Sequence, residues 1–190
     1  MVLPVVAYGH LTLRKVAAEI DKDYPGLQEL IQNMFETMYA SSGIGLAAPQ
    51  VNKSIRIFMV DATPLADEQP ELDGFRKVFI NPKIVEESGE AWTYNEGCLS
   101  LPDIREDVTR KGVVRIQYYD EDWNFHDETF DGMPARIIQH EYDHLEGTLF
   151  IDRINPIRRM LLKRKLTDIT KGNIDVSYKM IFPLIKKKTA

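Results

Sequence analysis

The stretch 132–147 constrains the fold of this chain more than any other. Gly132-Met133-Pro134 opens a helix, with the proline near the first turn, and Gly147 is placed to end it. Between them stands His140-Glu141-Tyr142-Asp143-His144. Helical residues four apart share one face about a turn apart, so the two imidazoles can converge on one metal ion. Glu141, beside the first histidine, projects toward the open coordination position, where it can take a proton from bound water. The remaining elements must be arranged around this helix, and the fold class expected is α+β, antiparallel sheets packed around a central metal-binding helix, with a C-terminal helix and strand extension.

A catalytic metal of this kind takes a third protein ligand and keeps one position open. In one familiar layout a third histidine follows six residues after the second; that position is Phe150. In another a glutamate lies well downstream, and no glutamate follows Glu146. Both familiar protease layouts therefore fail. The candidates left are Cys98, His10, His126 and upstream carboxylates. Cys98 is the only cysteine, which excludes an internal disulfide and any multi-cysteine zinc site. As a thiolate it is a strong ligand for a borderline divalent metal.

The rest of the chain supplies the scaffold. Leu27, Leu30, Ile31, Met34, Phe35, Met38 and Tyr39 repeat at steps of three and four and predict a helix over 27–39. Ile55–Val60 reads as a buried strand, 62–75 as an exposed acidic loop, and 78–85, interrupted by Asn81-Pro82, as a bent or edge strand. Residues 104–110 and 113–119 are β-rich, with Lys111-Gly112 suggesting a hairpin between them, and Phe125–Phe130 adds a strand. A third helix is expected over 156–170 and a strand over Ile174–Phe182. No apolar run is long enough for a membrane helix, and the first ten residues lack a targeting pattern, so a reducing cytoplasm is the expected location. The expected division is a catalytic domain over 1–171 and a basic extension over 172–190. Residues 153–190 carry eleven Lys/Arg against two acids, a net of +9, while residues 1–152 sum to −14. That asymmetry would favour a polyanionic partner at the C-terminal end.

Three segments, Gly43-Ile44-Gly45-Leu46-Ala47-Ala48-Pro49-Gln50, Glu96-Gly97-Cys98-Leu99-Ser100 and Gln139-His140-Glu141-Tyr142-Asp143-His144, resemble the three motifs of the peptide deformylases, in the same order and at similar spacing. The opening, Ala7-Tyr8-Gly9 through Leu13-Arg14, is also similar, and the resemblance covers roughly residues 5–165. Loop 62–75 is longer than in compact members and the tail after Gly172 is variable in the family. The resemblance implies removal of the formyl group from the N-terminal formyl-methionine of new polypeptides, with release of formate. It assigns Cys98, His140 and His144 as ligands of a divalent metal, Fe2+ by preference, with Zn2+, Ni2+ or Co2+ also accepted. Metal-bound hydroxide would attack the formyl carbon. Glu141 would serve as general base and then acid, and the Gln50 side-chain amide and the Leu99 N–H would receive the oxyanion.

By the same resemblance, the formyl-methionyl backbone would lie as an extended strand along Ile44 and Gly45, with Arg105 contacting the peptide. Met133 and Ile137, with Ile44, would line the methionine pocket. Glu96 is placed among these substrate-binding residues and is expected to support the site through hydrogen bonds. Implied partners are N-formyl-methionyl nascent peptides and, through Arg158, Arg159, Lys163, Arg164 and Lys165, the ribosome; no membrane or DNA contact is expected. Two other readings are a small His-Glu-x-x-His metallopeptidase and a binding module with a structural metal. The second would need a fourth ligand that the sequence does not offer.

Overall fold

A computed structural model describes residues 1–184; the last part of the expected extension, 185–190, lies outside the described residues. The fold is α+β, as expected. Strand β1 (Val5–Val6) is followed by helix α1 (Leu27–Ala40) and by strands β2 (Gly45–Ala47), β3 (Ile57–Asp61), β4 (Arg76–Cys98), β5 (Leu101–Tyr119) and β6 (Phe125–Asp131). Helix α2 (Gly132–Leu145) leads to α3 (Pro156–Leu161), α4 (Lys163–Lys171) and β7 (Met180–Ile181). Strands β2 to β6 form one antiparallel sheet in chain order, and β1 pairs with β7 in parallel.

Of the stripe its periodicity predicts, helix α1 buries Leu27, Ile31, Met34, Phe35 and Met38 against Leu46, Ile57 and Met59 of β2 and β3, while Leu30 is half-buried and Tyr39 is exposed. On the other side of the sheet, Phe58, Phe79, Val114, Ile116 and Tyr118 pack with Met133, Ile137, Ile138 and Leu145 of α2. Each such side chain contributes roughly 1.5–3 kcal/mol when fully buried. Helix α2 thus lies between apolar layers that fix its roll and direct its histidines to one point. It ends at Gly147 (φ 69°), whose N–H bonds to His144 O while Thr148 N–H bonds to Asp143 O, the paired bonds of a left-handed glycine cap.

Four expectations are corrected. Lys111-Gly112 is not a hairpin: β5 runs unbroken through it. A Cβ on Gly112 would stand 2.8 Å from Glu90 O, so this glycine serves the close approach of β4 at a bulge rather than a turn. The real reversal is the two-residue turn Leu99-Ser100 between β4 and β5. The strand expected at 78–85 is part of central β4, and Asn81-Pro82 falls at a break in its register with β5, where a missing N–H breaks no regular pair. The helix expected over 156–170 is two helices that meet at Leu162. The tail strand shrinks to Met180–Ile181, paired to Val5 and Val6. Loop 62–75 contains two short 3-10 turns and a buried anchor, Leu72. No helix among the described residues is long and apolar enough to cross a membrane.

Candidate active site

Cys98 ends β4, while His140 and His144 stand one turn apart on α2. Their ligating atoms lie within 4.8 Å of one another, and Cys98 Sγ is 3.4 Å from His144 Nε2. Among the described residues this is the one group of three or more His, Cys, Asp or Glu side chains close enough to hold a metal ion. His10 and His126 stand apart from it. His10 Nδ1 accepts from Thr12 N–H and caps a 3-10 turn, and His126 Nε2 lies 2.8 Å from Asp120 Oδ2.

A carboxylate holds one of the two rings in place. His140 Nδ1 donates to Glu96 Oε2 at 2.9 Å, which fixes the ring and leaves Nε2 for the site. Glu96 in turn accepts from Arg110 Nε and Nη2 (2.7 and 2.9 Å) and from Arg136 Nη1 (2.9 Å). Burial opposes its charge, but the hydrogen bonds from Arg110 and His140 outweigh burial and hold its carboxyl well below the usual range. Arg110 also donates to Asp143 Oδ2 at 2.8 Å, and Arg153 forks onto the same carboxylate. Glu96, 4% exposed, therefore spends both oxygens on cations and on His140. It borders the cleft while turning its oxygens to His140 and the two arginines, the hydrogen-bonding support expected of it.

Glu141 is 4% exposed, and its Oε2 has no hydrogen-bond partner among the described residues. Burial pushes its carboxyl up to about 7, against a downward pull from His140. Space for it comes from Gly45: any Cβ there would collide with the Glu141 carboxyl, with Cδ only 2.8 Å away. The Gly-x-Gly of the first motif thus has a steric purpose in the third.

Gln50 is oriented as well. Its Oε1 accepts from Ala47 N–H at 2.8 Å, so its amide nitrogen is directed to Cys98 Sγ and Ser100 Oγ, both at 3.4 Å. A cleft of about 670 Å³ opens over these groups. Ile44, Gly45, Gln50, Cys98, Leu99, His140 and Glu141 line it, as do Met133 and Ile137 on an apolar wall. Arg105 is exposed at the rim and folds back to Asn95, Nε to Oδ1 at 3.0 Å. His144 lies beneath, 1% exposed.

The donor set fits a divalent metal. It offers two imidazoles and a thiol around one point, ringed by the carboxylates of Glu96 and Glu141. Burial disfavours protonation of His140, but hydrogen bonds to Cys98 and Glu96 outweigh it and raise the ring well above the ordinary value. Burial and the His140 charge instead keep His144 neutral, the ligating form.

Sequence reasoning missed Arg110, Arg136, Asp143 and the tail residues Asp175–Tyr178 that wall the cleft. A signal for Arg110 existed. Ile104, Glu106, Val108 and Arg110 alternate with exposed residues, so two charges sit in phase with the apolar face of β5. In a strand that phase marks buried, paired charges.

The family model described as polypeptide deformylase matches residues 2–160. A peptide deformylase from Christiangramia forsetii is 54% identical over 195 residues, covering 98% of this chain and 99% of its own. One from Cytophaga hutchinsonii is 51% identical, covering 98% of this chain and all of its own. Among solved structures, a peptide deformylase from Legionella pneumophila superposes with a TM-score of 0.79 at 34% identity, covering 91% of this chain and 98% of its own.

Proposed function

The chain belongs to the polypeptide deformylase family and is an enzyme that removes the N-formyl group from the formyl-methionine of newly made polypeptides, and from that premise we propose which residues carry the reaction. The observation that carries this reading is the convergence of Cys98, His140 and His144 beside a buried carboxylate with an unpaired oxygen. Those three residues hold a divalent cation, Fe2+ by family preference, with Zn2+, Ni2+ or Co2+ suited to the same donors. When bound, the cation supplies Lewis acidity that brings the pKa of a water near neutrality.

The protein's own groups do the rest. Glu141 removes a proton from the attacking water as its oxygen bonds to the formyl carbon. The carbon–nitrogen bond then breaks, Glu141 returns the proton to the departing amine, and formate leaves. The Gln50 amide, locked by Ala47, and the Leu99 N–H stabilise the oxyanion formed between these steps. Gln50 suits the task because its amide donates without adding a charge that would compete with the metal. The peptide lies extended against Ile44 and Gly45, the methionine side chain enters the wall of Met133 and Ile137, and Arg105 meets the chain at the rim. Cys98→Ala tests the ligand assignment: the purified variant should hold far less than one metal per chain and release no formate. Full metal content and turnover in that variant would overturn it.

We place the catalytic unit at 1–171 and read 172–190 as an extension of the same domain. The packing of Ile174, Met180, Ile181 and Phe182 into one apolar cluster with Val6, Leu101, Ile104 and Ile169 supports this. The working location is the bacterial cytoplasm, with the ribosome as partner. Arg158 and Arg159 are paired to Glu106 and Asp152, but Lys163, Arg164 and Lys165 are exposed on α4 beside the exposed apolar residues Ile157, Met160 and Leu161. Replacing those three cations by glutamate should abolish salt-sensitive co-sedimentation with ribosomes and leave formate release intact. Unchanged co-sedimentation would reject the contact.

A further inference from the structure

Cys98 and Leu99, which the deformylase reading gives to metal and oxyanion, sit at the two-residue turn between β4 and β5. Such a short connection has few internal bonds to hold its peptide planes. Three outside groups hold it instead. Tyr8 N–H donates to Ser100 O at 2.8 Å, Gln50 Nε2 reaches Ser100 Oγ at 3.4 Å, and the Tyr178 hydroxyl donates to Leu99 O at 2.7 Å. Tyr178 lies in the C-terminal segment, past residues 2–160 that the family model matches, and its ring lines the catalytic cleft.

That segment is anchored. Val5 N–H bonds to Lys179 O and Ala7 N–H to Ile181 O, both at 2.9 Å. Met180, Ile181 and Phe182 pack in one cluster with Leu101, the first residue after the turn, and with Ile104. The N- and C-terminal segments therefore form one two-stranded strap, and each sends one donor to one carbonyl of the same turn. Half-buried Tyr178 has its ionisation raised, first by burial and then by the charges of Cys98 and Asp103, so its phenol keeps the proton it donates.

We propose that Tyr178 is a positioning residue for deformylation: by holding the Leu99 carbonyl, it fixes the rotation of the Leu99 residue and with it the direction of the Leu99 N–H. Cys98 is fixed on one side by the ligand set. With the carbonyl on the other side also fixed, the intervening backbone dihedrals have little freedom, and the N–H is aimed before substrate arrives. The hydroxyl is spent on the Leu99 carbonyl, so its effect passes through the turn. This rests on the deformylase reading, which wild-type formate release tests separately.

The test is Tyr178→Phe, which keeps the ring and removes the donor. Loss of an oxyanion donor costs 10²- to 10³-fold, and a donor left in place but loosened should cost less. kcat on formyl-Met-Ala should fall about tenfold, with KM within twofold and the thermal midpoint within a few degrees. In the zinc-loaded full chain, the Leu99 amide cross-peak should shift and its hydrogen exchange quicken, while amides of α2 stay put. The amide readout needs no turnover. A kcat equal to wild type, or an unmoved Leu99 amide, would overturn the proposal.

Discussion

Glu141→Ala should retain its metal and lose 10²- to 10⁴-fold in kcat/KM on formyl-Met-Ala, the range for removing a positioned proton-transfer group. Both halves of the expectation come from geometry. The ligating atoms belong to Cys98, His140 and His144, so deleting Glu141 removes no ligand. The carboxyl it removes is buried, has an oxygen with no described partner, and is pushed up to about 7 by its surroundings, near the value best suited to exchanging protons at neutral pH. Gly45 exists at its position so that this carboxyl can be there. Glu141→Gln, which keeps the volume, should lose activity as severely, separating proton transfer from packing. Metal content and formate release, measured on the same preparations, decide the matter. Turnover within tenfold of wild type in either variant would remove Glu141 from the mechanism.

Arg110→Met should destabilise the fold by about 3–5 kcal/mol, the cost of removing one partner from a buried ionic group. Arg110 is 4% exposed and bridges Glu96 to Asp143. Without it, Glu96 keeps Arg136 and His140, and Asp143 keeps Arg153, but two buried carboxylates lose their shared cation. For a chain of this size the loss corresponds to a fall in thermal midpoint of roughly 6–20 °C. Methionine fills much of the same space, so a cavity is not the cause. The same change loosens the carboxylate that orients His140, and metal affinity should drop by 10- to 100-fold. Denaturant unfolding of the variant with and without metal measures both effects. A loss under 1 kcal/mol would show that the network does not support the site in this way.

What the sequence made legible was local or chemically rare. The two histidines and Glu141 lie within five residues, and helical geometry alone brings them together. The apolar stripe of α1 is equally local. Cys98 stood out because no later glutamate or histidine could complete the familiar layouts. What stayed hidden depends on distant pairing. Glu96, Arg110, Arg136 and Asp143 meet across separations of 14 to 40 residues in the chain, and only the in-phase placement of Glu106 and Arg110 along β5 hinted at it. Gly112 looked like a turn because glycine serves both turns and close strand contacts, and Glu90 decides between them. Tyr178 gave no signal, because its role depends on a two-residue strand finding β1 at the other end of the chain.

The most direct measurement is a mass balance on formyl-Met-Ala incubated with the metal-loaded chain. If the site is as described, each substrate consumed yields one formate and one intact Met-Ala with a free amine. Release of alanine, with the formyl group still on methionine, would mean that the same residues cut the peptide bond instead, and would contradict the account.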